Sequence, residues 1–229
     1  MPTVLIQPAT LGFLKELAKH NDRDWFAKHK ARYTAAHENL IAFADALLTA
    51  MRQHDHIETP SGKASLMRIY RDTRFSKDKT PYRTYMGGGF SRATKKLRGG
   101  YYFQIGPGQS LAAGGFFSPN PADLLRIRQD MDYHYPDWQK LLKNKTLAQT
   151  FGELKGNKLI TAPQGFAKDH PAIELLRHKQ FYFERTFTDE EVLSGSFVKL
   201  LNQTFKNLRP YFDYMSEVLT TDANGESLV

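Results

Sequence analysis

Hydrophobic positions along this chain change their period twice. Between 10 and 51 they recur at helical spacing, first at Leu11, Leu14, Leu17 and Ala18, then over Trp25, Phe26, Tyr33, Leu40, Phe43, Ala44, Leu47, Leu48 and Met51. That spacing predicts a short helix capped by Thr10 and a longer one capped by Asn21 or Asp22. A polar stretch over 53–62, closing on Pro60, Ser61 and Gly62, reads as a loop.

From 65 to 117 the pattern becomes short and aromatic. Segments 65–75, 83–91, 100–106 and 110–117 are separated by turn residues and predict an antiparallel meander. Tyr101, Phe103 and Ile105 alternate with Tyr102 and Gln104, as in a half-buried strand. Glycines at 87–89 and 114–115 mark bulges or a close approach by another backbone or a ligand. Helical periodicity then returns over 121–133, 137–142 and 147–151, and 152–171 is loop-like. Residues 172–177 make a helical turn or two, and 180–188 alternates as a last strand. Thr188 caps a helix with core face Leu193, Phe197, Leu200, Leu201, Phe205 and Leu208; Pro210 interrupts it, and 211–219 continues. The last ten residues are polar and read as frayed. The expectation is a single α+β domain over 1–229, with a mainly antiparallel sheet of about five strands flanked by N- and C-terminal helices.

Composition narrows the chemistry. With 41% hydrophobic and 24% charged residues, the chain is that of a folded globular protein. It has no cysteine, which excludes a disulfide framework, a thiolate zinc site and a cysteine nucleophile, and fits a reducing cytosol. The apolar start, MPTVLIQPATLGFL, has no basic n-region and is interrupted by Pro2 and Pro8. The reading is a cytoplasmic protein with no membrane partner.

The net charge of +8 is unevenly placed. Residues 61–110 carry eleven basic and two acidic side chains, whereas the flanking segments are close to neutral. An asymmetry of this kind fits either an anionic partner or a solvated basic face. The chain lacks the P-loop, G-x-G-x-x-G, H-E-x-x-H and G-x-S-x-G patterns. His54-Asp55-His56 is a tight histidine pair, but it sits where a helix runs into a loop, and no metal site is expected there. Asp169-His170-Pro171 reads as a helix start with Asp169 as cap rather than as a base, since adjacent residues rarely orient each other as a dyad.

The densest chemistry lies between Arg68 and Arg83. If 66–72 is extended, Arg68, Tyr70 and Asp72 share one face, and Asp72 can hold Arg68 or Arg74 in a bidentate pair. Arg68, Arg71, Asp72, Arg74, Asp78, Lys79 and Tyr82 are therefore the candidate ligand-binding residues. They form either an anion clamp or a strand-to-loop junction built on Arg–Asp pairs. The clamp reading expects a cleft where Arg71, Arg74, Lys79 and Tyr82 meet Gly87–Gly89, emptied of anion by Arg74→Ala.

The same residues carry a resemblance. Arg68, Arg71, Asp72, Arg74, Phe75, Asp78, Lys79 and Tyr82 are similar to the R-x-x-R-D-x-R-F signature, with its following acid-Lys and Tyr, of the bacterial DUF2461 family. Asn21-Asp-Arg-Asp-Trp25-Phe26 with Tyr33 resembles its N-terminal pattern. Residues 100–106, Gly114-Gly115, Pro119, Leu125 and Arg128, then Pro163-Gln-Gly165-Phe166 and Asp169-His170-Pro171, resemble the remainder. The resemblance implies no catalytic residue and no cofactor, because the family's function is unknown. Three functions stand open: a site for an anionic small molecule, which is the favoured partner; a nucleic-acid surface using 92–98 and the aromatics Tyr101, Tyr102 and Phe103; and a motif that only stabilises the fold.

Overall fold

Capping side chains and prolines set where the helices begin in the computed structural model, which describes residues 4–222 and 226–229. Pro8 opens α1 (Pro8–Lys19) in the first turn, where its missing N–H costs nothing, so the helix starts before Thr10. The Asp22 carboxylate accepts the Trp25 N–H and caps α2 (Arg23–Lys28). The long predicted helix breaks at His29, whose Nδ1 donates to the Trp25 carbonyl at 2.8 Å; α3 (Lys30–Met51) follows. A short α4 (Gly62–Ser65) is capped by Ser61.

The strands are β1 (Met86–Ser91), β2 (Gly100–Ile105) and β3 (Ser110–Phe116). Then come α5 (Pro121–Tyr133), α6 (Tyr135–Leu142), α7 (Lys145–Phe151) and α8 (Ile173–Leu176), followed by β4 (Phe181–Phe187). Thr188 and Glu191 form a reciprocal capping box on α9 (Asp189–Leu193). The helix expected to run onward stops where the Ser194 hydroxyl donates to the Glu191 carbonyl, and α10 (Phe197–Lys206) starts afresh. Pro210 sits in the first turn of α11 (Arg209–Thr220), so it starts a helix rather than kinking one. Within the polar C-terminus, Leu228 N–H returns to the Thr220 carbonyl at 2.8 Å; residues 223–225, part of the segment read as frayed, lie outside the described residues.

The class is α+β, with one antiparallel sheet in the order β1-β2-β3-β4. It has four strands rather than about five, because 65–75 does not join it. Leu66 pairs with Gly88 and Tyr70 with Tyr82, each as an isolated antiparallel bridge. In one continuous register Tyr70 would face Thr84. The slip of two residues, next to a proline without an N–H, prevents a ladder. Met67 N–H to Gly87 O, Arg71 N–H to Pro81 O and Arg83 N–H to Ile69 O are the bonds that remain.

The chain divides into two compact units. The first comprises 1–91, 102–112 and 186–203; the second comprises 92–101, 113–185 and 204–229. The first has its core between α1, α3 and the inner face of its strands. Phe43 packs its ring against Phe103 at 6.1 Å and Phe197 at 5.5 Å, and Phe103 stacks on Phe90 at 5.6 Å. In the second, Tyr101 lies against Phe205 and Phe212, and the buried Tyr211 hydroxyl donates to the Phe181 carbonyl. No helix of the described residues is long and apolar enough to cross a membrane.

Candidate functional site

The Arg-rich segment is a loop pinned at both legs in the first unit. Ile69 is buried on one leg. On the other, the Asn21 amide clamps the Tyr82 backbone, accepting its N–H at 3.0 Å and donating to its carbonyl at 2.9 Å. The Tyr82 ring stacks on Phe26 at 4.0 Å and 14°, so Tyr82 serves as an anchor in the core with only 5% exposure.

Between those legs the loop pairs with itself. Arg71 Nη1 donates to Asp78 Oδ2 at 2.5 Å and to the carbonyl and hydroxyl of Thr80. Asp78 Oδ1 accepts both the N–H and the hydroxyl of Thr80. The Thr80 N–H first, then Arg71 and the Thr80 hydroxyl, hold the Asp78 carboxyl down at about 2. Arg74 grips Asp72 with a fork, Nε to Oδ1 at 3.0 Å and Nη2 to Oδ2 at 2.7 Å. That fork, aided by the Arg74 N–H, lowers the Asp72 carboxyl below its ordinary value. Lys79 Nζ donates to the Thr73 carbonyl at 2.9 Å.

Because Asp78 titrates below its unfolded value of 3.8, its contribution to loop order is present above that pH and is lost as pH falls through about 2. An NMR titration of the Asp78 carboxyl should therefore give a midpoint near 2, as the bonds it accepts predict. A midpoint near 3.8 would mean that the bonds from Arg71 and Thr80 do not form in solution.

Two clefts flank this loop, with Arg71, Thr80, Tyr82 and Asn21 lining both. One, of about 450 Å³, is completed by Asp72, Asp78, Arg83, Thr84 and Tyr85. The other, of about 660 Å³, is completed by Asp22, Arg23, Tyr70, Thr73, Lys79 and Pro81. Of the residues expected from sequence, Arg71, Asp72, Asp78 and Tyr82 line the first, and Arg71, Lys79 and Tyr82 the second. Arg68 and Arg74 line neither. Arg68 is exposed and has no ion pair among the described residues, and Arg74 leans over the almost fully exposed Phe75 ring.

Gly87–Gly89 do not line either cleft. A Cβ on Gly87 would stand 2.4 Å from the Phe103 carbonyl oxygen, and one on Gly88 would stand 2.7 Å from that of Ser65. The missing side chains make room for neighbouring backbone, not for a ligand.

Arg83 is the residue the sequence reading passed over. Its Nη1 donates to the Tyr85 hydroxyl at 3.0 Å, its Nε is buried with no partner, and among the described residues it has no carboxylate. Beyond it, Tyr102 donates to Gln104 Oε1 at 3.0 Å, and burial, with the Tyr85 hydroxyl beside it, pushes the Tyr102 hydroxyl up to about 12. The available signal was position. Arg83 is the last cation of the loop and directly follows the pinned Tyr82.

A family model described as a conserved hypothetical protein, DUF2461, matches residues 9–214 of the 229. The chain belongs to the DUF2461 family. No curated protein and no solved structure matches it. Membership brings no catalytic residue, so the chemistry of this DUF2461 chain rests on its own geometry. In its second unit the family-like residues have structural partners. Arg128 donates to the carbonyls of Leu176 and His178. His170 Nδ1 accepts the Ala172 N–H, which leaves Nε2 as the donor to Asp132 Oδ1 at 2.8 Å. The residue preceding α8 is Ala172, so Asp169 is not its cap. With both ring nitrogens engaged, His170 has no lone pair for base chemistry. His54 Nε2 faces Asn202 Oδ1 at 2.9 Å.

Proposed function

We propose that this protein binds an anionic small molecule, bearing phosphate or carboxylate, in the cleft beside Arg71, Thr80, Arg83 and Tyr85. One observation carries the reading: Arg83 contributes a guanidinium charge that no carboxylate of the described residues meets. Arg71 and Arg74, by contrast, are each met locally by a carboxylate, Asp78 and Asp72. A partly desolvated cation left over at a cleft wall gains most from an anion that brings its own oxygen acceptors. Thr84 and Tyr85 add hydroxyls to that wall, while the Thr80 hydroxyl is committed to Asp78 and Arg71. The loop pairs then have a supporting role: they hold the cleft in shape, while Arg83 supplies the affinity.

The test is thermal protection by phosphate and sulfate at constant ionic strength. Wild type should gain several degrees with saturating anion, and Arg83→Ala should lose that gain while melting close to wild type without anion. Equal protection of both proteins would remove the reading. A nucleic-acid surface would instead bind a polyanion with an affinity that falls steeply as salt is raised. We propose in addition that 1–229 folds as one domain, since β2, β3 and β4 each run from one unit into the other. The same wild-type melt should show one transition, and two would defeat it.

A further inference from the structure

The second cleft extends this reading, on which the following inference rests. Arg23 and Lys79 both line it, and neither has an ion pair among the described residues. The lone acid there, Asp22, accepts the Trp25 N–H and makes no ion pair with either cation, so Arg23 and Lys79 together outweigh it. The two clefts share Arg71 and Thr80 as a common wall, with Arg83 on one side and Arg23 with Lys79 on the other. Uncompensated cations therefore stand in two places, separated by an Arg71 that its own carboxylate already neutralises. A single phosphate meets one of these places and leaves the other unmatched.

We infer that the ligand is bis-anionic, a small molecule with an anionic group at each end, one held by Arg83 and the other by Arg23 and Lys79, with its middle passing over Arg71 and Thr80. The clefts fall within the range of small-molecule sites. The half-exposed Tyr70 ring in the second cleft offers an apolar wall to the ligand's carbon frame. Two tethered contacts raise affinity over one because the second group binds from within the first complex.

Titration calorimetry with a hexose monophosphate and a hexose bisphosphate tests this directly. The bisphosphate should bind at least roughly tenfold more tightly to wild type, with one molecule per chain. Arg23→Ala should bring the bisphosphate down to the affinity of the monophosphate. Arg68→Ala removes an equal charge outside both clefts and should change neither. If the monophosphate binds through Arg83 but the bisphosphate binds no better, this inference falls and the single-anion reading stands. If neither sugar phosphate nor inorganic phosphate binds, both fall. If Arg68→Ala weakens the bisphosphate as much as Arg23→Ala does, the gain is diffuse surface charge and the second subsite does not exist.

Discussion

Replacing Gly87 with Ala should lower the stability of the chain by about 3 kcal/mol. The added Cβ would lie 2.4 Å from the Phe103 carbonyl oxygen and 3.2 Å from the Gln104 Cα, both fixed backbone atoms of β2. No side chain can rotate away to relieve the contact, so the strand itself must move. Overpacking costs about 1–3 kcal/mol, and rigid backbone on the far side places this site at the upper end. Against a total stability of about 5–15 kcal/mol, that is a large share. Gly12 provides the control. Nothing lies within 4 Å of its Cβ position, and it sits inside α1. Gly12→Ala should stabilise the protein by about 0.5–1 kcal/mol through helix propensity and a less flexible unfolded chain. Urea denaturation of the two variants beside wild type gives both values. A Gly87→Ala protein with a wild-type midpoint would mean that β1 and β2 do not approach as described.

That glycine run shows where sequence reasoning reached its limit. Missing side chains announce that something comes close, but whether it is a backbone or a ligand depends on which segment folds back, and no local pattern records that. Elements with a strong period, such as Pro121–Tyr133 and the strand ending at Phe187, were legible because one face of each is apolar and their caps are local. The breaks at His29 and Ser194 were not, since each follows from a side chain bonding a nearby carbonyl inside an otherwise helical pattern. At the site, the pairing of Asp72 with Arg74 could be anticipated from an acid set among arginines. The importance of Arg83 could not. It stands out only once Arg71 and Arg74 are seen to have partners, and those partners depend on how the loop closes.

The basic run at 92–98 teaches the same lesson about charge, and with a large effect. Counted along the sequence, Arg92, Lys95, Lys96 and Arg98 look like one solvated patch suited to a polyanion. Within the second unit they divide. The Arg92 side chain has no exposed surface; Nη2 donates to Asp213 Oδ1 at 2.8 Å, and Nη1 donates to the Arg98 carbonyl and the Ser216 hydroxyl. Its guanidinium also lies over the Phe212 ring at 5.2 Å. Arg98 pairs with Asp123, and only Lys95 and Lys96 are exposed. Of Tyr101, Tyr102 and Phe103, the strand aromatics that would stack on bases, Tyr101 and Phe103 are buried to 2% and 0% exposure, and Tyr102 is half-buried with its hydroxyl donated to Gln104. Arg92→Ala should therefore destabilise the protein by about 2–4 kcal/mol, through lost charged hydrogen bonds and an unfilled space beside Phe212. Asp213 is not stranded by the change, because it is half exposed and Arg209 also reaches it, which keeps the cost below that of an isolated buried charge. Lys95→Ala removes the same formal charge and should shift stability by no more than about 0.5 kcal/mol. Urea midpoints of the two variants separate the roles. Should Arg92→Ala prove as harmless as Lys95→Ala while weakening binding to single-stranded DNA, the run would be a nucleic-acid surface after all, and the buried ion pair described here would be wrong.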